Sequence, residues 1–160
     1  MSGEGGIPVR LGGGIRPPMR GLGIAASGLS AQRARLDAIS ENIANAETTR
    51  GADGAPYRRK IVRLQEVRYD PALDEAGMTS PPGQDGYGGV KVAGVEDDMS
   101  EGPLVYDPGH PDADENGYVR MPNVDINSEM VDLMQTRSLF EANATVFQAV
   151  KAMLQRSTQL

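Results

Sequence analysis

Cysteine is absent from the 160-residue chain, and with it go disulfides, thiol nucleophiles and every metal site that needs a thiolate. Tryptophan is absent too, and the aromatic set is two Phe and five Tyr, so bulky core-forming side chains are scarce. Twenty glycines and eleven prolines deepen that scarcity; together they predict a small globular part rather than a large buried core. No apolar run approaches the ~18 residues of a membrane-spanning helix. The opening MSGEGGIPVRLGGGIRPPMR lacks the apolar centre of a cleavable secretory signal. The one histidine, His110, sits in a Pro108–Gly109–His110–Pro111 turn, where it cannot build a His-rich metal site and has no placed acid and nucleophile to serve.

Basic charge is scarce where it would matter for nucleic acid. The formal net charge is −6, and residues 51–123 hold 14 acidic against 7 basic side chains. Residues 1–50 hold 4 and 6, and residues 124–160 hold 4 and 3. A central acidic segment argues against a phosphate backbone as partner. The nearly balanced ends suit helix-to-helix packing, where like charges would repel.

What the chain does have is two heptad rows. Leu22, Leu29, Leu36 and Ile43 are spaced by seven, with Ala25, Ile39 and Ala46 three residues on and Gln32 as the polar interruption. Ile126, Leu133, Phe140, Phe147 and Leu154 repeat the device, and Leu139, Val146, Val150 and Met153 widen that stripe. Asp125 or Asn127 can cap the second helix, with Glu129 in its first turn to match the helix dipole. Gly21, Gly23 and Gly28 each cost the first helix about 1 kcal/mol relative to Ala, so it frays when isolated, yet their size lets a neighbouring helix approach. Between the helices, Ile61–Val67, Val90–Val92, Leu104–Tyr106 and Tyr118–Met121 read as short strands. Asn116–Gly117 marks a hairpin before Tyr118.

The expected architecture is α+β: two long terminal helices pairing as a coiled coil around a small β-rich middle. Its parts are a flexible lead over 1–20, whose Gly12–Gly14 run and Pro17–Pro18 pair exclude regular structure, and an N-terminal helix over 21–48. A β-rich middle over 49–123 follows, with a flexible loop near 70–88, and then a C-terminal helix over 124–160.

Catalytic chemistry finds no set of residues to carry it. Asp112-Ala113-Asp114-Glu115-Asn116-Gly117 matches the first six positions of a calcium loop, but the twelfth, which should be Glu, is Asn123, and Pro108 and Pro111 break the flanking helix. A polar hairpin turn is the plainer reading. Glu96, Asp97 and Asp98 read as a solvated charge run, and Gly12–Gly14 lacks the ending of a phosphate loop. No catalytic, cofactor or metal residue is assigned, and no cofactor is expected. Periodicity alone favours reading the helices' apolar rows as a self-contained hairpin serving only the fold, since most apolar stripes are core.

Ordered short motifs favour assembly. Ala26-Ser27-Gly28-Leu29-Ser30-Ala31-Gln32-Arg33, then Asn42-Ile43-Ala44-Asn45-Ala46 and Thr48, resemble the N-terminal signature of the flagellar rod and hook axial proteins. Pro56-Tyr57-Arg58-Arg59, Gly89-Val90-Lys91-Val92, Leu104-Val105-Tyr106-Asp107-Pro108, Met121-Pro122-Asn123-Val124, Glu129-Met130-Val131-Asp132 and Glu141-Ala142-Asn143 continue the likeness in order, through about residues 21–157. Within that family the similarity is to the proximal rod. Glu47 departs from it, standing where a small polar or amide residue is common.

The resemblance implies a structural, non-enzymatic subunit of the basal-body rod in the periplasm, supporting motility and exported by the flagellar type III apparatus without cleavage. Its implied partners are itself, the rod proteins FlgB, FlgF, FlgG and FliE, and the export apparatus. Packing would fall to Leu22, Leu29, Leu36, Ile39, Ile43, Ile126, Leu133, Phe140, Phe147 and Leu154. Asn42 and Asn45 are its signature polar residues, serving either a turn-closing bond or a contact between subunits. The lead is longer than family members carry; it is either an extra contact arm or precedes a start at Met19.

Overall fold

A computed structural model describes residues 17–69 and 87–157. Of the parts anticipated above, residues 1–16 of the lead, 70–86 of the loop and the final 158–160 lie outside these. The order of elements is α1 (Pro17–Ala44), β1 (Lys60–Tyr69), β2 (Tyr87–Asp97), β3 (Leu104–Tyr106), β4 (Tyr118–Arg120) and α2 (Ile126–Ser157). The class is α+β, as expected.

Two boundaries differ for physical reasons. Helix α1 starts at Pro17 inside the expected lead, because the first N–H groups of a helix have no intrahelical acceptor and proline at its start forfeits nothing. It ends at Ala44 rather than 48 because Asn45 closes the last turn: its Nδ2 donates to Glu41 O at 2.9 Å, and Thr48 Oγ1 donates to its Oδ1 at 3.3 Å. At the other end of the middle region, Tyr87 and Gly88, assigned to the loop, open β2.

Strands β1 and β2 form a two-stranded antiparallel ribbon, Lys60 facing Asp97 and Tyr69 facing Tyr87. Its register slips between Arg63 and Leu64, leaving Ala93 as the extra residue of a bulge. A second pair joins β3 to β4, Tyr106 opposite Tyr118, with Gly117 at φ +81° in the turn where Asn-Gly foretold it.

Helix α1 lies between α2 and the ribbon. On the α2 side, Gly21 faces Val150, Gly28 faces Asn143 and Asn42 meets Glu129. Each step along α1 is matched by an equal step back along α2, so the helices run antiparallel. On the ribbon side, Val90 N–H donates to Ser27 Oγ at 3.2 Å. There Gly89 is obligatory: at φ +108° a Cβ would come within 2.4 Å of that hydroxyl oxygen. The core is correspondingly made of small residues, Ala25, Ala31, Ala38 and Ala46 with Ile39, Val67 and Val119. Short side chains, rather than aromatic bulk, let three elements close on one helix.

Candidate assembly site

The end of the molecule where α1 finishes, β1 begins and α2 begins is held by a buried polar node. Asn42, 1% exposed, uses all four hydrogen-bonding positions of its amide. Its Nδ2 donates to Lys60 O at 3.0 Å and Glu129 Oε2 at 3.1 Å; its Oδ1 accepts from Lys60 N–H at 2.8 Å and Tyr57 O–H at 3.0 Å. The paired bonds to the Lys60 backbone imitate what a neighbouring strand would offer, so a helix side chain completes the sheet edge.

Glu129, also 1% exposed, receives Arg59 Nε on its other oxygen at 2.5 Å, and Arg59 Nη2 reaches Asp132 Oδ2 at 3.4 Å. A carboxylate so buried is tolerable only because both oxygens are engaged; deleting one partner of such a pair costs about 3–5 kcal/mol. Lys60 Nζ pairs with Glu41 nearby. Asn123 works as a second junction. Its Oδ1 accepts from Arg59 N–H at 2.8 Å, and its Nδ2 donates to Asp98 O and Ser100 Oγ, both at 3.1 Å. Asp125 is the cap of α2, accepting from Asn127 N–H at 3.0 Å. The cleft beside the node is about 70 Å³, room for a water or two; ligand pockets run to ~300 Å³ and more.

Burial first, and then the charges of Glu41, Asp97 and Glu129, push the Tyr57 hydroxyl up to about 12. Because the folded pKa lies above the ordinary ~10, the stabilisation is whole below pH ~10 and is lost as pH rises through about 12. An ultraviolet difference titration should therefore show a late-ionising component that is lost in Tyr57→Phe. An alkaline curve identical in wild type and variant would contradict this.

The residues expected to pack fall into three groups. Ile39 is buried; Leu22, Leu29, Leu36, Ile43, Leu133, Phe140, Phe147 and Leu154 are half-buried; Ile126 is exposed. On α2 the inward row is Glu129, Leu133, Thr136, Phe140, Asn143, Phe147, Val150 and Leu154, spaced alternately by four and three. On α1 the line of closest approach is Gly21, Gly28 and Asn42, about 100° of helix away from the leucine row. The leucines thus flank the seam instead of forming it, since glycine permits the nearer approach. Gln32 Oε1 is buried there with no partner among the described residues.

The stripe expected to widen α2's inward face does not face inward. Leu139, Val146 and Met153 are 48%, 53% and 66% exposed, a heptad row bare to solvent, and Met130, Val131 and Met134 add to the uncovered surface. Of the wider stripe only Val150 turns in.

Asn42 and Asn45 prove to have different parts, one a buried junction and the other a turn-closing cap. Arg59 and Asn123 were not foreseen, and Glu129 was seen only as a dipole partner. Their signal was faint: polar residues flanking strand and helix starts, which usually face water. In the loop that mimics a calcium site, Asp114 Oδ1 instead accepts from Asn116 and Tyr118 N–H at 2.8 and 2.9 Å. Asp112 is tied to Thr49 and Arg50, and His110 Nδ1 accepts from Asp112 N–H at 3.1 Å.

Comparison with known proteins gives two family matches: "Flagella basal body rod protein" over residues 22–52 and "Flagellar basal body rod FlgEFG protein C-terminal" over residues 115–160. The chain is 43% identical over 143 residues to the flagellar basal-body rod protein FlgC of Bacillus subtilis (strain 168), covering 87% of this chain and 95% of that one. It is 43% identical over 137 residues to FlgC of Salmonella typhimurium, covering 86% and 92%. To FlgC of Agrobacterium fabrum it is 38% identical over 138 residues, covering 86% and 90%.

Proposed function

The chain belongs to the FlgC family of flagellar basal-body rod proteins, and from that premise we propose how its helix pair builds the rod. It is a structural subunit of the basal-body rod, in a family of structural proteins, and it interacts with other rod proteins. The finer reading is that it sits in the proximal rod within the periplasm, reached through the type III export apparatus. There it contacts FlgB, FlgF, FlgG, FliE and its own copies, and it catalyses nothing.

The observation that carries this is the bare heptad row Leu139, Val146 and Met153 on α2. Apolar side chains repeated every seven residues along an exposed helix face are left uncovered by the described residues of the subunit, and burying what is still exposed of each is worth about 1–2 kcal/mol. The half-buried leucine row of α1 supplies a second ridge. On this reading Leu22, Leu29, Leu36, Ile39, Ile43, Leu133, Phe140, Phe147 and Leu154 hold the subunit together and shape its flanks, while the exposed row and Ile126 meet neighbours.

The test is Val146→Glu. Because the side chain is solvated in the monomer, far-ultraviolet circular dichroism of the purified chain should be unchanged. The strain should lose swimming, and its basal bodies should lack a complete rod. A swimming Val146→Glu strain with intact rods would rule out this face.

A further inference from the structure

Among the described residues, strands β3 and β4 pair only with each other, and Leu104, Val105 and Tyr106 of β3 are all exposed. Tyr118 meets Tyr106 edge to face, ring centroids 5.2 Å apart, yet Tyr106 stays 65% exposed. A three-residue hairpin gains little from carrying so much uncovered apolar surface. The surroundings have one sign: from Val92 to Val119 there are eight carboxylates and no Lys or Arg. Three are answered from outside that stretch, Glu96 by Arg63, Glu101 by Arg120 and Asp112 by Arg50. Asp107, Asp114 and Glu115, beside the tyrosines, make no ion pair among the described residues. Asp107 and Asp114 each use Oδ1 on turn amides.

We infer that this face of the β3–β4 hairpin is a docking site for residues 1–16 of a second copy of the chain. Tyrosine rings rimmed by carboxylates suit guanidinium groups, which stack on the ring while pairing with the acid. Residues 1–16 carry Arg10 and Arg16 against a single acid, Glu4, with Ile7, Val9, Leu11 and Ile15 interspersed, so they complement the face in charge and in apolar character. The second copy follows from placement. Helix α1 runs from Pro17 to Asn42, about 38 Å at 1.5 Å per residue, before it reaches the end that bears the hairpin. Arg16 adjoins Pro17 and Arg10 lies seven residues before it, at most about 25 Å away, so neither arginine of the same chain reaches the hairpin even at full extension. A copy placed end to end brings its own residues 1–16 there without it. The inference stands apart from rod membership, which could hold with this face bare.

The experiment uses the full chain with p-benzoylphenylalanine at position 105, prepared as an equal mixture of ordinary and nitrogen-15-labelled protein, irradiated and mapped by mass spectrometry. Mixed-isotope crosslinks landing within residues 1–16 are expected. Arg16→Glu should lower their yield about fivefold, as for a charge pair worth about 1 kcal/mol, and adding Glu115→Lys should restore it. Crosslinks to residues 1–16 of the same isotope only, crosslinks elsewhere, no crosslinks, or a yield indifferent to Arg16→Glu would each overturn the inference.

Discussion

Replacing Asn42 with aspartate should lower the stability of the subunit by about 3–5 kcal/mol at neutral pH, among the largest losses any single substitution here can produce. The change is isosteric, so packing is untouched and only the hydrogen bonds are altered. The amide donates to Lys60 O and to Glu129 Oε2; a carboxylate can donate to neither, and it sets a second negative charge against Glu129 where little water can screen it. Acidification should recover part of the loss, since protonating the introduced carboxyl restores a donor and removes the repulsion. Urea denaturation at pH 7 and near pH 4.5 would read this as a deficit that shrinks on the acid side. Asn42→Ala should also be costly, leaving the Lys60 amide and carbonyl unpaired at about 1–3 kcal/mol each, but without that recovery. Equal deficits for Asn42→Asp at both pH values would mean that the node's electrostatics matter less than its shape.

Gly102→Ala should be nearly as damaging, by a wholly different route. A Cβ at this residue would lie 1.9 Å from Met121 O and 2.7 Å from Pro122 C, both backbone atoms with no rotamer to escape into. The segments carrying Gly102 and Met121 would have to separate, stretching the bond from Met121 N–H to Pro103 O, now 2.9 Å. The Asn123 bonds to Asp98 and Ser100 would be disturbed with it. A loss of about 2–4 kcal/mol is expected, with amide exchange quickened around residues 98–103 and 120–123. Gly94→Ala is the matched control: among the described residues nothing lies within 4 Å of its added Cβ, so thermal unfolding should hardly move. Similar losses for both would show that the crossing relaxes more easily than the contacts imply.

The two helices, the four strands and the Asn-Gly hairpin were readable because each rests on local signals: a seven-residue repeat, alternation, a turn dipeptide. The row Leu133, Phe140, Phe147 and Leu154 could be assigned inward for the same reason. Helix α1 was harder. It serves α2 on one face and the ribbon on another, so its apolar periodicity reports two partners at once. The heptad drawn through Leu22, Leu29 and Leu36 misses the glycine line where the helices come closest. Gly21 and Gly28 were legible as a cost and as a means of close approach, but not as the seam itself. Leu139, Val146 and Met153 were counted with the inward stripe because sequence marks a residue as apolar without saying whether the surface that buries it is its own chain or a neighbour. The node was least visible. Glu129, Arg59 and Asn123 are ordinary surface residue types, and only the meeting of three distant segments turns them inward.

The antiparallel helices meet through different chemistry at different points. Near Asn42 and Glu129 they are joined by directional bonds that also grip the ribbon, whereas near Gly21 the contact is with the methyl groups of Val150, about 3.8 Å from where a Cβ would stand. A hydrogen-bonded junction sets the rotation and register of the two helices, whereas a glycine set against methyl groups sets only how near they lie. Their alignment is therefore dictated where the ribbon joins, as a keystone sets the courses beside it.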